Sequence, residues 1–403
     1  MKRRRVKITG IGPVTPAGIG REAFWKGILE PVSRVKVLTK LDSQLGPFVA
    51  AQVAGFDVFK FVSDRSVVPK GASRQSLFAI ASSVLALRDA LLSQEEFQRM
   101  NAAIVVGSSL MDFGGILSSV DSVGQKGLRG AQSRALYSTG ISSVPSAVND
   151  ALNSSARTMA FSTQCCSGMD AIGYAAELVA TGEVDVALAG GTDAPLHRFP
   201  MLEFRAGGLT PGSEEMPGRV ARPFDLWRTT GVVSEGCCLV VIEAESSPRN
   251  GYSYVSGYAV GNDGKDDLCG GMKSAANMAL ASAMKTHRDV DAINAWGPGH
   301  KLVDSGEARA LGCLFKHGLR EIPAVSIKGA IGTPLGAAPA IQIASAALGL
   351  KFGVMPPTVN WEYPDPSCPL NLSNRPRYIE HDVTLLNAHG VGGVNSSMIL
   401  ERC

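Results

Sequence analysis

Aromatic side chains are scarce in this 403-residue chain, at 6% of the total, so its core cannot rest on large rings. An excess of either charge is also missing. There are 39 Lys and Arg against 36 Asp and Glu, a net charge of +3, which excludes a protein that grips nucleic acid through a basic surface. The eight cysteines are too few and too scattered for a disulfide framework, and no Cys-x-x-Cys occurs. The six histidines form no ligand-spaced cluster with them, so no metal site is expected, and the free thiols point to a reducing, cytoplasmic compartment. No apolar signal core follows the basic residues 1–5, because 6–20 is broken by Lys7, prolines and glycines. The uncharged stretch 329–350 is long enough for a membrane span, but it is mostly Ala and Gly with two prolines and Gln342. It reads as a buried helix, and no span is expected.

What is abundant is glycine, 45 residues, beside 45% hydrophobic and 19% charged residues. That is a globular composition with tight turns and small-residue packing. A strand is expected at 6–10, ending at a Gly/Pro turn. Gly10-Ile11-Gly12 starts like a dinucleotide fingerprint, but the third glycine is missing and prolines interrupt the helix start. Helices are expected at 21–28 and 77–92, and a strand at 101–107. A strand at 161–164, a helix at 166–181 and a strand at 184–189 make a βαβ unit, which implies a parallel sheet with helices on its faces. Another strand is expected at 237–244. Beyond the turn-rich 246–251 the alternation restarts: strands at 252–260, 290–296, 324–327 and 383–387, helices at 272–285, 304–315 and 335–350. The chain therefore divides into two halves, 1–250 and 251–403.

Cys165 lies where a strand ends and a helix begins, in Thr163-Gln164-Cys165-Cys166-Ser167-Gly168. A helix N-terminus carries partial positive charge and free N–H groups. There a thiolate is favoured and a developing oxyanion can be held. A buried, inert cysteine is the plain alternative. The adjacent Cys237-Cys238 reads as core, and residues 2–5 as a solvated tail.

Six blocks in order carry a resemblance that spans nearly the whole chain: VKITGIGPVTPAGIG, TQCCSGMDAIGYAAELVATGEVDVALAGGTDA, ARPFDLWRTTGVVSEGCCLVVIE, NAWGPGHKLVDSGEA, SIKGAIGTPLGAA and NAHGVGGVN. Together they resemble the β-ketoacyl-acyl-carrier-protein synthases, condensing enzymes of the thiolase fold. The resemblance implies an α/β protein with a five-layer αβαβα arrangement of two pseudo-repeated halves, forming a dimer. It places Cys165 as the acyl-thioester nucleophile. It puts Trp296 and Thr333 where the family has two catalytic histidines, in Asn294-Ala295-Trp296-Gly297 and five residues after Lys328. It puts Val391 at a gating Phe position of the closing Gly-rich loop, and the N–H groups of Cys165 and Val391 in the oxyanion hole. Glu235 would pair with Lys328, whose plain role is to orient neighbouring backbone.

Loss of the two imidazoles has a definite cost. Decarboxylation of a malonyl thioester builds enolate charge, and each lost donor costs ~2.7–4 kcal/mol, so losing both costs on the order of 10⁴-fold or more. Trp offers one N–H and Thr one hydroxyl, and neither does acid–base work. His300, and His389 at another Phe position, are candidates for relocated acid/base groups; a surface loop and a packing role are their plain alternatives. Two functions stay open. One is a chain-length-factor-like partner of an active ketosynthase, since such subunits lack the paired histidines. The other is an acyltransferase or condensing enzyme using Cys165 with a non-standard site. Either works on the phosphopantetheine arm of an acyl carrier protein, binds no cofactor of its own, and forms a homodimer or a heterodimer with a ketosynthase.

Overall fold

The computed structural model describes residues 3–38, 41, 47–211, 216–264 and 267–403. Ten strands run in line through one sheet. In chain order they are β1 (Val6–Thr15), β2 (Ala102–Gly107), β3 (Arg157–Phe161), β4 (Val186–Asp193), β5 (Gly236–Ala244), β6 (Ser253–Asn262), β7 (Ala292–Asn294), β8 (Ala324–Val325), β9 (Val383–Gly390) and β10 (Val394–Arg402). Their spatial order is β8-β7-β9-β10-β6-β1-β5-β4-β2-β3. Read outward from the middle, β1-β5-β4-β2-β3 repeats as β6-β10-β9-β7-β8. The pairing sense repeats as well. The two inner junctions are antiparallel and the two outer ones parallel in each half. Within the sheet, the two halves are paired through Lys7 and Ile8 with Tyr254 and Ser253.

The central helices Ser167–Thr181 and Ala338–Phe352 pack on each other and on strands of both halves, which places them between the two half-sheets. The Arg74–Asp89 and Ser143–Ala151 helices cover the outer face of the first half. The Leu268–Ser282 helix lies on the second half, with Lys301–Phe315 packed beside it. Five layers result. Strands covered on both faces need apolar residues throughout, and β2, β4 and β5 are buried along their whole length. The apolar segment Leu335–Phe352 is 89% buried in the middle layer, so its hydropathy serves the fold. Cys237 and Cys238 lie in the core.

Several boundaries differ from the sequence reading. β1 does not stop at residue 10 but continues through Pro13 to Thr15. A Cβ on Gly10 would stand 2.2 Å from the Ala86 carbonyl oxygen, and one on Gly12 2.0 Å from that of Ser82. These glycines let the Arg74–Asp89 helix lie directly on the strand. The strand before Cys165 ends at Phe161, leaving a turn at 162–166. β10 was not anticipated; its Asn395-Ser396-Ser397 run hides the alternation. Residues 3–5 are no free tail. Arg3 pairs with Glu177, Arg5 with Glu245, and Arg4 donates to the carbonyls of Val179 and Val184. Lys2 lies outside the described residues.

Candidate active site

The turn that presents Cys165 is closed by its own backbone. Gln164 adopts a left-handed φ of 53°. The Ser167 hydroxyl accepts from the Thr163 N–H (2.9 Å) and donates to the Gln164 carbonyl. Small residues bring this turn against its neighbours. A Cβ on Gly107 would lie 2.2 Å from the Ser167 carbonyl oxygen, and one on Gly168 or Gly191 about as close to that of Gly336. Asp193, at the end of β4, ties the surrounding loops together. It accepts from the N–H groups of Ser109 (3.0 Å), Leu110 (3.2 Å) and Gly336 (2.7 Å) and from the Ser108 hydroxyl (2.9 Å).

Cys165 opens on a cavity of about 110 Å³. It is lined by Cys165, Trp296, Thr333, His300, His389 and Val391, together with apolar side chains that include Phe204, Leu209 and Val303. The fold thus gathers residues far apart in sequence around one thiol. Lys328 is excluded from the lining and lies behind Trp296. Its Nζ sits 3.9 Å from the indole centroid and donates to the Trp296 carbonyl (2.5 Å) and to Gln342 Oε1 (2.8 Å). Burial lowers the Lys328 pKa, opposed by Glu307 and Asp304.

The pairing of Lys328 with Glu235 is not found. Glu235 is held by Arg74 (2.6 Å) and accepts from the Val53 N–H. The acid beside the lysine is Glu307, which accepts from the N–H groups of Trp296 (2.9 Å) and Gly297 (2.8 Å) and so fixes the backbone that carries the indole. Glu307 went unnoticed in the sequence. Its signal there was an Asp304/Glu307 pair three residues apart on a helix that starts just past Trp296.

The electrostatics correct one expectation. Burial pushes the Cys165 thiol up to about 12, and the Asp193 carboxylate adds to the effect; the Val391 N–H, the Ser109 hydroxyl and Lys328 oppose it. The helix N-terminus does not win, because Cys165 lies before the Cys166 cap and sits against apolar walls. The thiol is therefore neutral and needs a base to react. The Val391 backbone favours the Cys165 thiolate, and Val391 is 56% exposed.

Two imidazoles share the cavity. His300 caps the Lys301–Phe315 helix, with a buried Nδ1 that has no partner, and burial lowers its pKa. The Thr333 hydroxyl is likewise buried and unpartnered. His389, near the end of β9, holds Asn395 Oδ1 at 2.9 Å through Nδ1; burial lowers its pKa, with Asn395 and Asp263 opposing. Among the described residues no group of His, Cys, Asp and Glu is placed to hold a metal ion.

Family models match the chain in two consecutive parts: beta-ketoacyl synthase, N-terminal domain, over residues 3–247, and beta-ketoacyl synthase, C-terminal domain, over 252–362. The tetracenomycin polyketide synthase ketoacyl synthase alpha subunit of Streptomyces glaucescens is 30% identical, over 99% of this chain and 97% of that protein. A 3-oxoacyl-[acyl-carrier-protein] synthase 2 of Coxiella burnetii is 28% identical, over 100% and 99%. Among solved structures, the ishigamide ketosynthase/chain length factor superposes with a TM-score of 0.91 at 25% identity over the full length of both chains. AntDE, a type II ketosynthase bound to the hexaketide and in complex with its acyl-carrier protein AntF, gives 0.90 at 26%, also over both full lengths.

Proposed function

The chain belongs to the β-ketoacyl synthase family of polyketide and fatty-acid synthesis, and from that premise we propose that it does not drive decarboxylation by itself but works as a chain-length-factor-like partner of a complete ketosynthase. The observation that carries this reading is the Trp296 side chain. The resemblance of its sequence block assigns it to one imidazole position; the side chain is 3% exposed, with Lys328 over its ring and Glu307 holding its backbone N–H. An indole so held neither accepts a proton nor swings aside. Thr333, at the other position, offers only a hydroxyl. The chain is read as two related halves meeting near residue 250, each with its own copy of the five-strand order. Its substrate is an acyl chain on the phosphopantetheine arm of an acyl carrier protein, a partner held by the AntDE relative. The second partner is a ketosynthase subunit, of the kind paired in the ishigamide ketosynthase/chain length factor.

A second reading has its own support. Cys165 is retained, the Val391 backbone favours its thiolate, and two imidazoles line its cavity. These features suit an acyltransferase in which Cys165 accepts the acyl group from the carrier thioester.

Intact-mass measurement after incubation with acyl-loaded carrier protein, for wild type and Cys165→Ala, separates the two. A mass gain lost in the variant supports acyl transfer. No gain, with stable co-purification of a complete ketosynthase, supports the partner role. Rapid release of CO₂ from malonyl-loaded carrier by the purified chain alone sinks the first reading.

A further inference from the structure

β9 and β10 form a hairpin closed by residues 391–393, and its register sets His389 directly opposite Asn395. Asn395 is fully buried, and its amide orientation is fixed by what surrounds it. One end faces Asp263 Oδ1 at 2.7 Å and the Gly393 carbonyl at 3.1 Å, both acceptors. That end must be the NH₂ group. The other end, facing His389 Nδ1 at 2.9 Å, is the carbonyl oxygen. Nδ1 therefore carries the ring proton and donates it to Asn395. Nε2 is left with its lone pair, on a residue that lines the same cavity as Cys165. The residue after His389 touches the nucleophile turn: a Cβ on Gly390 would lie 2.9 Å from the Gln164 Cβ and 3.2 Å from the Cys165 nitrogen.

We infer that His389 is the proton acceptor of Cys165 and that Asn395, anchored by Asp263, is its positioning residue. The three form a Cys–His–Asn relay built on the closing hairpin, away from the two histidine positions the chain has lost. This inference rests on the acyl-transfer reading and names the base that reading requires. The Cys165 Sγ proton passes to His389 Nε2, giving a thiolate and an imidazolium that keeps its bond to Asn395. The thiolate forms a bond to the thioester carbonyl carbon, and the oxyanion lies at the N–H groups of Cys165 and Val391. Collapse breaks the bond to the pantetheine sulfur, which leaves with the His389 proton. The products are acyl-Cys165 and a free pantetheine thiol. Burial favours the neutral form of the His389 ring, with Asn395 and Asp263 opposing. The charged and titratable groups around the pair are Asp263 behind Asn395, His300 across the cavity, and Asp193 and Lys328 near the thiol.

The test uses the full chain and the rate of Cys165 alkylation by iodoacetamide, located by peptide mass, as a function of pH. Carrier-dependent acylation is measured alongside. Wild type is expected to show an inflection in the imidazole range. His389→Gln removes it and slows both reactions near neutral pH by ~100-fold, the scale of a lost general base. Asn395→Ala removes the acceptor for Nδ1–H, so it shifts the inflection and slows both reactions. Convergence of all variants with wild type at strongly alkaline pH, where hydroxide removes the proton, shows that the folded site survives. An unchanged rate and profile in His389→Gln overturns the inference, as does a loss confined to His300→Gln. Alkylation that follows the expected profile without carrier-dependent acylation supports the relay and refutes the acyl-transfer reading.

Discussion

Restoring the missing imidazoles is the sharpest perturbation. Trp296→His combined with Thr333→His puts a donor back at each lost position on the cavity that Cys165 shares. The cost follows from the surroundings of Trp296. It is 3% exposed, so replacing an indole by a smaller ring costs roughly 2–3 kcal/mol of packing. Removing the ring face from Lys328 Nζ, 3.9 Å away, costs about 2 kcal/mol more. These Trp296 costs sit at the low edge of the usual margin of about 5–15 kcal/mol, so the double variant is expected to melt at a lower temperature, and its folded state is checked by circular dichroism before the assay. The gain is larger. Two donors at ~2.7–4 kcal/mol each correspond to ~10⁴-fold or more in the decarboxylation step. CO₂ release from malonyl-loaded carrier is the assay, with wild type at background and the double variant faster by at least ~100-fold even if the geometry recovers only in part. If purified wild type matches the double variant, the reasoning fails. A folded double variant that gains nothing also refutes these positions as the seats of the lost donors.

Other outcomes are as specific. Asp193 is buried, with its carboxyl pushed up to about 6 from 3.8, so the folded state binds this proton more tightly than the unfolded chain. Its contribution is fully present below the unfolded value and is lost as pH rises through about 6, worth about 3 kcal/mol; Asp193→Asn flattens that part of the stability–pH curve in denaturant titrations. Glu307→Gln removes a carboxylate that favours charged Lys328 and weakens the hold on the Trp296 and Gly297 N–H groups; chemical denaturation should show a loss of ~2 kcal/mol, the scale of hydrogen bonds to a charged group. Gly107→Ala drives a methyl into the Ser167 carbonyl, so Cys165 alkylation changes rate even where the protein stays folded.

Much of the fold was legible. The alternation at 161–189 and its restart past 250 announced two α/β units, and the Ala/Gly content of 329–350 announced a helix packed by close approach. Element ends were less legible. β1 runs through Gly10, Gly12 and Pro13, residues that usually break a strand, because the glycines admit a helix on its face. β10 was hidden because its hydroxyl and amide side chains are buried in hydrogen bonds rather than packed as hydrocarbon: Ser396 bonds Asp170, Ser397 bonds Asn387, and Asn395 bonds His389.

The sequence by itself determined which chemical groups are present: a pair of cysteines at a strand-to-helix turn, the indole of Trp296 and the hydroxyl of Thr333. Those facts are local, since they depend on residue identity within short runs. Tertiary structure alone decided what the groups do to one another. It gave Lys328 to the Trp296 carbonyl and Gln342 and Glu235 to Arg74, kept the thiol neutral by burial near Asp193, and set His389 opposite Asn395 through hairpin register. Dielectric, hydrogen-bond direction and strand register arise from contacts between distant segments, and no single stretch of the chain contains them.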